Sequence, residues 1–476
     1  LKIYFLIKNM CGILLTTRAE KNPNILDTIK HRGIERSIEE LDNVTLCHHR
    51  LPIQTLDGDD WNQPREISPG VYLMFNGEIF NYDQNLYTSD TEYLCSLFSG
   101  YKGGNLEFFA ATYTPHIQTW DGFWAIVIYD SNNGNVIAFT DPLGKKCLYK
   151  NDLGEICSEI KGLYGPLDEV DEAYISSVRK WGYNKDNRTP VKTIKRILPN
   201  ILYSYNIASP LFDKTFGPYY RTWESPIPEL IDADYETHME WLWDKMFESV
   251  GNRLVSKNYP ISLLISGGLD SSIIAGVLNE MKAKVTWFSI ENGETPFVND
   301  LSAHLSTPVN FLEYDMDSSK NALIYKLWNE TPVDLGSVIP QYHLFEAVKK
   351  NSGYRIVLSG DGSDELFGGY SRIHDYDSQQ SDVFEELTYY HLPRLDKMSM
   401  AHTLELRSPF LNLDIVRFAL HLPIEWRTDK KILKDTFGPM LPDSIVNRKK
   451  EALKNPEIKE DKLKYRQKAV DLFLEP

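Results

Sequence analysis

Two strings, "YPISLLISGGLDSSIIAGVLNEM" (259–281) and "YRIVLSGDGSDELFGGY" (354–370), constrain the fold of this chain more than any other feature. Each opens with an apolar run too short for a stable helix and breaks at a Ser-Gly turn; the first then continues as an apolar helical pattern. Short buried strands alternating with helices need crossover connections, which set neighbouring strands parallel. Residues 233–476 are therefore expected to form an α/β domain around a mainly parallel sheet. The chain before it reads differently. "VYLMFNGEIF" (71–80) and "FWAIVIYD" (123–130) are rich in β-branched and aromatic residues between Gly, Asn and Asp, a pattern of short strands and turns over residues 11–205. A helix is expected at "SDTEYLCSLF" (89–98), where Ser89 and Glu92 have capping-box spacing. The Pro- and turn-rich stretch 206–232 reads as the linker between the two domains.

With 476 residues, 42% hydrophobic and 25% charged, the chain suits two or three globular domains. Its formal net charge of -16 repels phosphate backbones and anionic lipid, so neither nucleic acid nor a membrane surface is expected as a partner. No stretch approaches the roughly 18 unbroken apolar residues of a membrane span. Cys11, Cys47, Cys95, Cys147 and Cys157 are odd in number and form no CxxC pair. That argues against a disulfide framework or zinc site and for a reducing, cytoplasmic compartment.

In "SGGLDSS" (266–272) the turn Ser266-Gly267-Gly268 aims backbone N–H groups and a helix N-terminus at one point, a good seat for a phosphate or pyrophosphate. Asp270 is placed to help hold a magnesium ion, and the GxxxxGK[ST] spacing of a Walker loop is absent. An ordinary strand-to-helix turn would also use these glycines. At the second strand end come Asp361, Asp364 and Glu365. Carboxylates beside a triphosphate repel it unless a hard cation intervenes, so Asp361 and Asp364 are read as groups that hold Mg²⁺ against a departing pyrophosphate. Glu365 is expected to be a solvated surface acid. Both motifs belong at the carboxyl ends of strands, where open α/β sheets collect ligands.

"SGGLDSS" resembles the pyrophosphate loop of ATP pyrophosphatases. With "LSGDGSDELFGGY" (358–370) and "MSMAHTLELRSPFLN" (398–412) following in order, the chain resembles the glutamine-hydrolysing asparagine synthetases over nearly its whole length. The resemblance implies a ligase that turns aspartate into asparagine through β-aspartyl-AMP, with glutamine, aspartate and ATP as substrates and Mg²⁺ as cofactor. It implies nucleotide contacts from Leu264, Ser266, Gly267, Gly268, Asp270, Ser271, Ser272, Ile290, Ser359 and Gly360. Lys430 of "KKILK" (430–434) would reach the phosphates, Asp361 would be the acid needed to form the acyl-adenylate, and Asp270 and Asp364 would ligate the metal. A homodimer is the expected assembly.

"MCGIL" (10–14) then resembles the start of class II glutamine amidotransferases, whose cysteine is the N-terminal nucleophile of an αββα hydrolase fold. A thiol attacks as thiolate, and with no His neighbour in sequence the nearest base for Cys11 is its own α-amine. An amide bond to residue 10 abolishes that base. The expectation is that residues 1–10 are an upstream extension before the initiator Met10, or a cleaved propeptide, and that the active chain begins at Cys11. The strings "HRGIERS" (31–37), "HHRLPIQ" (48–54), "FNGEIFNY" (75–82) and "SDTE" (89–92) carry the rest of the resemblance. They imply that Arg50, Glu78 and Asp90 hold the carboxylate and ammonium of glutamine. The side-chain amide of Asn76 and the N–H of Gly77 would stabilise the oxyanion. By itself, Asn76-Gly77 reads equally as a hairpin turn. "DPLGKKCLY" (141–149) and "CSEIKGL" (157–163) are expected as structural elements of the glutaminase core and the domain boundary.

The chain also departs from the pattern. Arg32-Gly33-Ile34-Glu35 stands where the family has R-G-P-D, segment 288–305 is shorter than its counterpart, and "ETPVDLGSVIP" (330–340) aligns imperfectly where the acceptor pocket is shaped. A different carboxylate acceptor is therefore the alternative within the enzyme class. A noncatalytic binding scaffold is the alternative outside it, opposed by the joint presence of Cys11, Arg50, Asp90, Asp270, Asp361 and Lys430.

Overall fold

The computed structural model describes residues 11–54, 61–165, 168–256, 259–314, 317–332, 335–351, 353–370, 384–448 and 462–474. The expected extension, residues 1–10, lies outside them. Among the described residues no helix is long and apolar enough to cross a membrane.

The N-terminal half builds two antiparallel six-stranded sheets. Edge to edge, the first runs Ile194–Arg196, Tyr149–Asn151, Ile156–Cys157, Gly12–Thr16, Val44–Arg50 and Glu35–Leu41. The second runs Ser209–Phe216, Leu202–Asn206, Asn135–Thr140, Gly122–Asp130, Val71–Ile79 and Arg65–Ser68. Alternation along the strands divides the apolar residues between layers. Ile13 and Leu15 of the first sheet meet Met74, Ala125 and Val127 of the second in the core between the sheets. Leu14 and Cys47 point the other way, under short helical turns at Pro23–Asp27 and Ile160–Leu163. Phe75 and Ile126 face helices Asp90–Phe98 and Leu106–Ile117 on the outer side of the second sheet. The expected sandwich is present, with the outer layer on the first sheet reduced to short turns. The helix expected at 89–98 begins as its spacing predicts: Ser89 Oγ accepts from Glu92 N at 3.1 Å.

The stretch read as a linker contributes more than a connection. Residues Ser209–Phe216 form the edge strand of the second sheet, paired with Leu202–Asn206. Pro210, which suggested irregular chain, is tolerated because an edge strand has an unpaired side.

The C-terminal half is built on a five-stranded sheet, all parallel, in the order Val309–Leu312, Thr286–Ile290, Ile261–Leu264, Ile356–Leu358, Glu405–Arg407. The two strings that opened the sequence reading thus supply adjacent central strands. Helix Leu269–Glu280 follows the first and the short helix Ser363–Leu366 follows the second.

Buried ion pairs, as well as a continuous apolar cluster, cross the boundary between the halves. Asp396, on helix Leu392–Met400, receives Lys146 Nζ at 2.7 Å and Arg32 Nη2 at 3.0 Å, and Arg32 also donates to Glu159 at 2.7 Å. Arg253 pairs with Asp121 at 2.9 Å, and Glu330 accepts the backbone N–H groups of Ile160 and Lys161. All these carboxylates and cations except partly exposed Lys161 are buried. Removing one partner of such a group strands the others in low dielectric. Asp396→Ala should therefore destabilise the protein by about 3–5 kcal/mol. The measurement is a denaturation midpoint against wild type, and an unchanged midpoint would show that the network contributes nothing net.

Candidate active sites

The first site lies where the two N-terminal sheets face each other. Cys11 precedes strand Gly12–Thr16, and its Sγ accepts from Leu51 N at 3.2 Å, at the end of the neighbouring strand Val44–Arg50. His48 on that strand reaches across the sandwich to Phe75 O at 3.0 Å, beside Asn76. Asn76 and Gly77 lie inside strand Val71–Ile79, so the hairpin alternative is set aside. Gly77 is needed there because a Cβ would fall 2.0 Å from Phe123 O on the adjacent strand. Among the described residues the Asn76 Nδ2 amide is buried without a hydrogen-bond partner, a donor left available. Burial pushes the Cys11 thiol up to about 12, opposed by the bond from Leu51 and reinforced by the charges of Glu78 and Glu405.

Glu78 and Asp90 converge on Gln54, whose Nε2 donates to Glu78 at 2.5 Å and to Asp90 at 3.2 Å. Burial, then the charges of Glu405 and Asp90, hold Glu78 well above the usual carboxylate range. Burial pushes Asp90 up to about 7, against bonds from Ile79 and Thr91. Two buried acids in this state favour a positively charged ligand. Arg50 stands at the strand end and donates to Glu35 at 2.9 Å and to Asn62 at 3.0 Å. Glu35, the residue at the departure from R-G-P-D, thus partners the arginine expected to hold a carboxylate.

The second site lies at the carboxyl ends of the central parallel strands. Leu264, Ile290 and Leu358 end their strands there, and Ser266 to Gly268 and Ser359 to Gly362 form the two loops that follow. Ser266 N and Oγ both bond Ser271 Oγ, and Ser272 Oγ donates to Gly268 O, which fixes the first loop on its helix. Gly267 adopts φ 69°, open to glycine at little cost. Gly360 allows the loops to touch, since a Cβ would lie 2.8 Å from that of Asp270.

Lys430 closes the site. Its Nζ lies 2.6 Å from both Asp270 oxygens and 2.5 Å from Asp364 Oδ1. Burial alone would lower this amine, but Asp270 and Asp364 outweigh it and hold Lys430 above its ordinary value. Asp429 and Lys430 both sit in the left-handed region, at φ 52° and 59°. For residues with side chains this costs about 1–3 kcal/mol each, the mark of a position over-determined by its surroundings. Burial raises Asp361, opposed by the bond from Ser359. Glu365 corrects the sequence reading: it is buried, not solvated, because it packs under Tyr370, whose OH donates to it at 2.5 Å. Burial, with the charge of Asp364, pushes it to about 7. Two carboxylates meeting on one cation form a hard oxygen set suited to Mg²⁺.

Three further residues complete the geometry. Arg407, within "MSMAHTLELRSPFLN", sits 3.4 Å from Glu78 of the first site, and its carbonyl accepts Ser359 N of the second at 3.0 Å. Gln54 lay within "HHRLPIQ" but carried no signal of its own. Arg448, which donates to Gly267 O at 2.8 Å and covers the Phe297 ring, stood in no recognisable pattern.

Comparison with known proteins accounts for both halves. The family model described as "Glutamine amidotransferase domain" matches residues 10–210, and that described as "Asparagine synthase" matches 242–388 and 378–474. The chain belongs to the glutamine-hydrolysing asparagine synthetase family. A protein of Acanthamoeba polyphaga mimivirus named "Probable asparagine synthetase [glutamine-hydrolyzing]" is 27% identical over 477 residues, covering 90% of this chain and 81% of its own. A protein of Schizosaccharomyces pombe with the same name is 27% identical over 510 residues, covering 93% and 84%. Among solved structures, the PRPP amidotransferase from B. subtilis complexed with ADP and GMP aligns at 11% identity and a TM-score of 0.32, over 93% of this chain and 99% of that one.

The acid pair makes a prediction independent of function. Between about 4 and about 7, Asp90 keeps in the fold a proton that it loses when unfolded, so its contribution to stability falls as pH rises through that window. Asp90→Asn should flatten that slope when melting temperature is followed against pH, and an unaltered slope would show that Asp90 ionises normally.

Proposed function

We propose that this chain converts aspartate to asparagine, with glutamine as nitrogen donor and ATP as driving force, through β-aspartyl-AMP. The observation that carries the reading is Arg407: it touches the glutaminase acid Glu78 with its side chain and the nucleotide-loop residue Ser359 with its backbone. Two half-reactions that share an intermediate as easily lost as ammonia need such adjacency.

In the first half-reaction the Cys11 thiolate attacks the side-chain carbonyl of glutamine. Arg50 takes the substrate carboxylate, exchanging it for Glu35, and Glu78 with Asp90 takes the ammonium. Asn76 and the N–H of Gly77 receive the oxyanion, ammonia leaves, and water releases glutamate from the thioester. A thiol pushed to about 12 needs a base, and the α-amine of Cys11, once free, supplies it.

In the second half-reaction the side-chain carboxylate of aspartate attacks the α-phosphorus of ATP and pyrophosphate leaves. Ammonia then attacks the acyl carbon and AMP leaves. The Ser266–Ser272 loop offers N–H and hydroxyl donors to the phosphates, Leu264 and Ile290 border the base, and Lys430 supplies positive charge. When bound, Mg²⁺ would be held by Asp270 and Asp364 and would offset charge on the pyrophosphate. Asp361, raised by burial, faces the acceptor. The five thiols, none in a disulfide, fit a cytoplasmic location.

The division of labour is testable by nitrogen source. Cys11→Ala should abolish glutamine-dependent synthesis and leave synthesis from ammonium intact, while Asn76→Ala should lower glutaminase turnover by about 10²–10³. A Cys11→Ala enzyme that ammonium cannot rescue would overturn the assignment.

Lys430→Met and Asp361→Asn should instead suppress AMP and pyrophosphate release with either nitrogen source, by roughly a hundredfold, and spare glutaminase activity. Near-normal AMP formation in both would place adenylylation elsewhere.

A further inference from the structure

Gln54 occupies the place that the proposed reaction reserves for part of its substrate. Its Nε2 donates to Glu78 Oε2 at 2.5 Å and to Asp90 Oδ2 at 3.2 Å, the two acids that would take the ammonium of glutamine. All three side chains are buried, and Gln54 is only 5% exposed. A nitrogen at hydrogen-bond distance from both acids stands where an ammonium nitrogen has to stand. The amide and a substrate ammonium cannot be there together.

The amide is poorly served in this place. With its nitrogen turned to the two acids, its oxygen, Oε1, is buried and has no hydrogen-bond partner among the described residues. An unsatisfied buried acceptor weakens the arrangement that strands it. An ammonium would bring a full positive charge and three donors to the same acids, where the amide brings only a dipole. The backbone around Gln54 is pinned. Leu51 N donates to Cys11 Sγ at 3.2 Å, Pro52 O accepts from Arg355 Nη1 of the C-terminal half at 2.6 Å, and Ile53 is buried. The Gln54 side chain is therefore the part of this segment free to give way to a ligand.

We propose that Gln54 gates the glutamine pocket: its side-chain amide fills the ammonium subsite until the α-ammonium of the substrate displaces it. This inference rests on the reading of Glu78 and Asp90 as the acids that hold that ammonium. A ligand with the ammonium opens the gate, and one with the same carboxylate and amide but no ammonium leaves it shut. Displacing Gln54 consumes part of the binding free energy of glutamine, so removing the gate tightens glutamine and leaves the ammonium-free analogue unaffected.

The test is isothermal titration calorimetry of the full chain carrying Cys11→Ala, which does not hydrolyse what it binds, with L-glutamine and with glutaramate, the same molecule without its α-amino group. The pH is set at 8, above the value of about 7 to which burial pushes Asp90. Adding Gln54→Val, whose side chain cannot reach the acids, should tighten glutamine about tenfold, the scale of one buried hydrogen bond, and leave glutaramate unchanged. With Cys11 intact, the KM for glutamine should fall while kcat holds. Synthesis from ammonium at the wild-type rate shows that the variant is folded. Gln54→Met, which keeps the length of the side chain without the donor, is the second variant and should shift glutamine in the same direction. Weaker glutamine binding in both variants would make the amide a part of the subsite that the substrate joins, and would overturn the gate. So would no change, or an equal change for glutamine and glutaramate, the mark of a structural effect. Glutamine that binds none of these proteins would overturn the reading of Glu78 and Asp90, and the gate with it.

Discussion

Asp396 is the residue on which the relation between the two halves depends. It lies in the C-terminal half, yet both of its cations, Arg32 and Lys146, come from the N-terminal half. A buried carboxylate without these partners would be strongly destabilising, so the ion network is satisfied only in one docking of the domains. Shape alone would permit sliding between apolar faces; matched buried charges penalise each displaced register with an unpaired ion. Burial would raise Asp396, but Lys146 and Arg32 bring it below its ordinary value, so it stays charged at neutral pH.

Fixed docking matters because the sites are built across it. Strand Glu405–Arg407 is the edge of the parallel sheet, and both of its acidic and basic side chains reach towards the glutaminase pocket. Arg407 is anchored by Glu405 at 2.7 Å and by the carbonyls of Arg253 and Val255. It therefore faces Glu78 as a rigid group. Lys145 lies nearby, donating to Leu406 O at 2.5 Å over the Phe123 ring, and burial with the charge of Lys146 lowers it to about 7. The boundary is thus a seam of buried charges.

The fold and most of the candidate sites were legible because they depend on local chemistry. A strand that ends in Ser-Gly-Gly and opens a helix is a short-range pattern, as is the cap at Ser89, and both formed where the spacing put them. What escaped was decided by distant packing. Pro210 hid an edge strand, since pairing with Leu202–Asn206 is invisible to composition. Glu365 looked solvated because nothing in sequence shows Tyr370 and His391 over it. Gln54 and Arg407 were present in quoted strings, but their meaning comes from partners 24 and 329 residues away: Glu78 in both cases. Arg448 had no local signal at all, and only the folded chain brings it to the Gly267 carbonyl.

The two sites share one electrostatic idea applied with opposite signs. In the first, Glu78 and Asp90 meet on an amide, that of Gln54, and Arg407 lies 3.4 Å from Glu78. Their raised affinity for protons comes first from burial and then from neighbouring carboxylates, Glu405 among them. In the second, a cation is in place: Lys430 sits between Asp270 and Asp364 on a strained turn and is held charged by both. A polyphosphate entering there would compete for the lysine, and a cation accompanying it would compete for the acids. Neither exchange buries a new unpaired charge, because each incoming group replaces one already present. That equivalence explains how a site for a highly charged nucleotide can be assembled in the interior of an acidic protein. Asp270 and Asp364 together hold Lys430 against the cost of its left-handed backbone; if it could swing into solvent, the two acids would be left facing each other without a cation.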